Sequence, residues 1–167
     1  MLHFIKINTW PTVTLIGVLL VGFVGREAIG QVYGSAEAIQ LLDALSRAGL
    51  YLASAIATAS ATTMALMLTL IGMMRRMESE FGDETYRSID HIASFSVASL
   101  LLALFLLLAF LLPTGQFENL PDGWFASLYE VLYALTVVMT AIAAASVMLI
   151  FTPLRRVIGE ITPGDAV

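Results

Sequence analysis

A chain of 167 residues that is 59% hydrophobic and only 13% charged, with a mean hydropathy of +0.88, is too apolar for an ordinary soluble domain. Its net charge of −5 comes from acids gathered in connecting segments, so there is no basic stripe to follow a nucleic acid, and the lack of cysteine removes disulfides, thiolate catalysis, Cys-ligated zinc and iron–sulfur clusters. The expected fold class is all-α: one polytopic membrane domain of four transmembrane helices in a bundle, with spans near 11–30, 48–75, 88–112 and 127–152 and a tail over 153–167.

The first helix is expected to begin at Trp10-Pro11, because proline is tolerated where its missing N–H would be unpaired anyway, and to run to about Gly30. Trp10 then sits at a membrane–water boundary. Lys6 followed by VTLIGVLLVGFVG has the order of a signal peptide. The nearest small-residue cleavage pattern, Ala36-Glu37-Ala38, lies well beyond that run and behind Arg26 and Glu27, so a retained signal-anchor helix is expected instead. Gly17, Gly22 and Gly25 interrupt the apolar surface and permit a neighbouring helix to approach closely, whereas the Gly30/Gly34 pair falls in a loop. Over 35–47, Ser35 as N-cap, Glu37 in a first turn, and Ile39, Leu42 and Leu45 at helical spacing predict an amphipathic helix. It either lies on the membrane surface or continues into the second span, and both readings stay open here.

Ala48 to Met74 runs for 27 residues without a charge, and its first half is almost entirely Ala, Ser, Thr and Gly. In lipid, where the hydrophobic effect no longer draws helices together, such residues permit close packing, so the other helices are expected to pack on this one. Gly82-Asp83 reads as a helix stop followed by the cap of a third helix from Glu84 to before Pro113. That helix carries Asp90, His91, Ser94, Ser96 and Ser99 early and is apolar on every side from Leu100 to Leu112. After a loop with Gly115, Pro121 and Gly123, Trp124 marks the second boundary, and the fourth span carries a small-residue patch at Thr140, Ala141 and Ala143 to Ser146. Pro153 is expected to restrict the chain there, and ITPGDAV to be a disordered tail.

Lys6, Arg75, Arg76, Arg87, Arg155 and Arg156 fall on one side of four such spans, and only Arg26 and Arg47 on the other. Both termini are therefore expected to be cytoplasmic, in a bacterial-type inner membrane.

Three sets of residues are candidates for function. Ser54, Thr58, Ala61, Thr62, Ala65 and Thr69 form a weakly polar seam on one face of the second span. Such a seam either lines a narrow pore in an oligomer or packs helices tightly while its hydroxyls bond their own backbone. The second use is favoured, because an intramembrane pathway usually carries an ionisable group and this seam has none. Arg26, Glu27, Arg47 and Glu130 gather near one boundary, where Arg26 and Glu130 are expected within ion-pair reach. They form either a vestibule or snorkelling anchors. Asp90 and His91 are a candidate titratable pair near the opposite boundary. His3 and His91 are the only histidines and are not expected to meet around a haem, and no metal-ligand spacing is present. The acidic run in MESEFGDETYRSID reads as a solvated loop before a docking site.

No nucleophile elbow, Walker loop or HExxH occurs, and no cofactor is expected. The expected function is that of a non-catalytic membrane protein, embedded in the lipid bilayer, which forms a homo-oligomer or joins a larger membrane complex through the small-residue faces of its second and fourth spans. The alternative is an ion channel or small-solute transport protein with the second span around a pore.

Overall fold

The computed structural model describes residues 9–30, 35–76, 83–111 and 124–161, with side chains described over 9–28, 37–72, 89–111 and 124–151. Lys6, His3, Gly34, the segments 77–82 and 112–123, and the tail 162–167 lie outside the described residues. The described chain is all-helical: α1 is Thr9–Ile29, α2 Ser35–Arg76, α3 Asp83–Phe110 and α4 Trp124–Ile161. Each of the four is long and apolar enough to cross a membrane.

α1 starts two residues before Pro11, which keeps the proline inside the first turn, where the helix has no use for its N–H. It stops at Gly30, whose φ of +80° places it in the left-handed region that ends helices, with its N–H donated to the Glu27 carbonyl. The open question about residues 35–47 is resolved by α2, a continuous helix of 42 residues, about 63 Å long at 1.5 Å per residue. Its first turns do not separate as a surface helix, because Leu42 is fully buried and joins the core, with Leu41 and Leu45 packed against it. At the other extreme, α4 does not end at Thr152 but continues through Pro153 to Ile161. Proline removes one backbone hydrogen bond there, and carrying the helix on keeps the others.

Paired contacts fix the directions of the helices. A Cβ at Gly22 would overlap Val137, one at Gly25 would meet the Tyr133 hydroxyl at 2.9 Å, and Arg26 reaches Glu130, so α1 and α4 run antiparallel. The Phe110 ring, at the end of α3, lies over Gly49, early in α2, and a Cβ there would come within 2.5 Å of it. Along α3 the inward positions are Ile89, Ile92, Ser96, Ser99, Ala103, Leu106 and Phe110, alternating steps of three and four. Tyr129, Leu132, Thr136 and Met139 repeat that alternation on α4. This is the seam that packs side chains of one helix into the hollows of another.

The hub of the bundle is α4 and not, as the composition suggested, the second span. Among the described residues α4 packs against each of the other three helices, α2 and α3 pack together, and α1 packs on α4 alone. The small patch expected to be free on α4 is largely enclosed, with Ala141, Ala145 and Ser146 buried. These residues let α4 take neighbours on several sides. Leu42, Leu106, Phe110, Tyr129, Leu132 and Met139 form the apolar core toward the Ser35 end of α2.

The glycine contacts separate two outcomes. Gly49→Ala should lower the thermal stability of the purified protein, since overpacking against Phe110, about 1–3 kcal/mol, exceeds the gain in helix propensity of about 1 kcal/mol. Gly17→Ala, which would meet nothing within 4 Å, should be neutral or stabilising in the same melt.

Candidate functional site

The seam of α2 faces outward along its whole length. Ser54, Thr58, Ala61, Thr62, Ala65 and Thr69 are all exposed, on the side of the helix opposite Gly49, Ala53 and Ser60. The threonines close on their own helix: Thr58 donates to the Ser54 carbonyl, Thr62 to Thr58 and Thr69 to Ala65, each at 2.9 Å. Their protons are thus already engaged, and what the face presents is small and nearly apolar.

Outward surfaces of the other helices are bulky. α1 turns out Val13, Ile16, Leu20, Val21, Phe23 and Val24; α3 turns out Leu101, Leu104, Phe105 and Leu108; α4 turns out Val131, Val138, Val147 and Phe151. Among the described residues, only between Leu52 and Leu66 does an outward face consist of Ala, Ser and Thr, and Thr69 already lies among the exposed Leu66, Leu68 and Leu70.

Near the Ser35 end of α2 the charges form two separate groups. Arg26 Nη2 lies 2.7 Å from Glu130 Oε1 and its Nη1 is 3.7 Å from Glu27 Oε1, which ties the end of α1 to the start of α4. Among the described residues α1 and α2 make no contact, and Arg47 is not brought to this group. It pairs instead with Asp43 one turn earlier on its own helix, at 2.8 Å. The Arg26–Glu130 pair is about half exposed on both sides, so in water its net worth would be about 0–1 kcal/mol, and its clearer effect is to set the register of α1 on α4. Tyr133 adds to that register by donating to the Gly22 carbonyl at 2.9 Å. The sequence signal for this contact was faint, a glycine on one helix and a tyrosine 111 positions later.

Asp90 is exposed and His91 half-buried. As neighbours on α3 their Cα–Cβ directions diverge by about 100°. Among the described residues no three His, Asp or Glu side chains converge as metal ligands. The polar groups at the centre are instead the hydroxyls of Ser96 and Ser99, buried on the inward seam of α3 with no protein partner. The regular three-and-four spacing that includes them was the available signal in the sequence.

Comparisons of the chain with protein-family models, with curated proteins and with solved structures returned no match.

If the ion pair sets register, Arg26→Glu and Glu130→Arg should each loosen α1 from α4, and the double reversal should restore the fold. Protease accessibility of α1 and the melting temperature would read this. Tyr133→Phe should cost about 1 kcal/mol through loss of one hydrogen bond.

Proposed function

We propose that this chain is a non-catalytic, multi-pass membrane protein that associates through the outward face of α2 with further copies of itself or with a larger membrane complex. The supporting observation is the contrast between that face, built of Ser54, Ala55, Thr58, Ala59, Ala61, Thr62 and Ala65, and the Val, Ile, Leu and Phe presented outward by α1, α3 and α4. Bulky apolar side chains suit contact with acyl chains, whereas a face without bulk lets a second backbone come near and gain dispersion contacts that lipid does not match. The corresponding patch on α4 is largely enclosed within the chain, so association is assigned to α2 alone.

In this reading both ends of the chain lie on the cytoplasmic side of a bacterial-type inner membrane, following the bias of Lys and Arg. The channel alternative uses the same face, because a ring of copies would bring Thr58 and Thr62 together around an axis. It is the weaker reading, since those hydroxyl protons are held by the helix backbone.

The cysteine-free chain makes the test direct. Ala61→Cys should give an oxidative or bis-maleimide crosslinked species in membranes, and Val21→Cys and Leu104→Cys, which face outward from α1 and α3, should give much less. Equal, low crosslinking at all three positions, with a monomer by native mass spectrometry, would defeat the proposal. Flux in liposomes that is lost in Thr58→Leu and Thr62→Leu would favour the channel, and labelling of the two ends from opposite sides would overturn the topology.

A further inference from the structure

Eight hydroxyl groups in the described helices follow one habit. Thr14, Thr58, Thr62, Thr63, Thr69, Thr136, Thr140 and Ser146 each donate to the carbonyl four residues earlier, at 2.8–3.0 Å. Ser96 and Ser99, 1% and 0% exposed, do not, and neither Oγ has any protein partner. A buried hydroxyl without a partner loses its hydration and gains nothing in return, so two such groups side by side call for an occupant.

We infer that Ser96 and Ser99 hold a water molecule inside the core formed by α2, α3 and α4. Residues three apart on a helix have Cβ atoms about 5–6 Å apart on one side, and two O–H···O bonds of about 2.8 Å span that gap through a single oxygen. The third bond that a buried water usually makes is available from α2. Starting where Phe110 covers Gly49, eleven residues along α2 and eleven back along antiparallel α3 bring Ser60 and Ser99 to the same level, and Ser60 is itself only 8% exposed.

The occupant is neutral and small. No Asp, Glu, Lys or Arg occurs in α2 from 48 to 72, in α3 from 92 to 110 or in α4 from 131 to 151, so nothing offsets the charge of an ion, and a metal cation would require more oxygens than three hydroxyls supply. Toward the Ser35 end the site is closed by Leu106, Phe110, Tyr129 and Met139. Both Oγ atoms are themselves buried, so this is an enclosed hydration site and not a segment of an open path. The inference is independent of what covers the outward face of α2.

A double-mutant cycle on the full chain in detergent tests it. With a bridging water, Ser96→Ala and Ser99→Ala each leave the buried water one bond short and should lower the melting temperature by about 2–4 °C, while the double variant, which no longer needs the water, falls no further than either single. Neutral or stabilising single effects that simply add would overturn the inference. Should a variant fail to fold, a crystal structure of the unmodified protein that resolves ordered water decides instead. Density within hydrogen-bond distance of both Oγ atoms upholds the site, and Oγ atoms bonded to the Ile92 and Phe95 carbonyls with no density between them reject it.

Discussion

Among the described residues α1 is attached to the bundle through a single partner. Its contact with α4 is made where two glycines remove side-chain bulk, so that Val137 settles over Gly22 and the Tyr133 hydroxyl reaches the Gly22 carbonyl beside Gly25. The ion pair between Arg26 and Glu130 completes the attachment. α2 and α3 grip each other as well as α4, so they form a three-helix unit to which α1 is added. The arrangement thus depends on α4, which sets Val137 and Tyr133 against the glycines of α1 and turns its other faces, alanines among them, to α2 and α3. Its alanines are consumed in doing so, and that leaves α2 as the helix with unspent small surface.

The interior changes character along its length. Toward the Ser35 end of α2, large apolar and aromatic side chains fill the space, with the Phe110 ring set into the hollow left by Gly49. Further along, hydroxyl residues and alanines take over: Ser60, Ser96, Ser99, Ala141, Ala145 and Ser146 are all buried. Small residues shorten the distance between helix axes but supply less contact per residue, so the two halves hold together by different means. One half is filled mainly by large side chains, the other by small ones together with Ile89 and Ile92.

Helix number and approximate bounds were legible in the sequence because uninterrupted apolar runs and the proline and glycine positions report them directly. The ion-pair reach between Arg26 and Glu130 was legible too, since both residues fall at corresponding depths of antiparallel spans. Which helix would be central was not. Composition distinguishes a small face from a bulky one but does not say whether that face turns inward, and here Ala141 and Ala145 turn in while Ala61 and Ala65 turn out. The continuity of α2 was likewise undetermined, because the same amphipathic pattern over 35–47 suits a surface helix or a helix that joins a core. What decides it is the burial of Leu42 among residues from α3 and α4, a relation between distant parts of the chain.

The unbroken course of α2 has a mechanical side. Its 42 residues contain no proline, and sharp bends in helices arise mainly at prolines, glycine–serine pairs or inserted bulges. At about 63 Å it is roughly twice the thickness of a hydrocarbon layer, more than an upright crossing of one would need. A stiff mast of this kind has no joint at which one end can pivot alone. Leu42 among the large core side chains and Ser60 among the small ones therefore belong to one continuous rod.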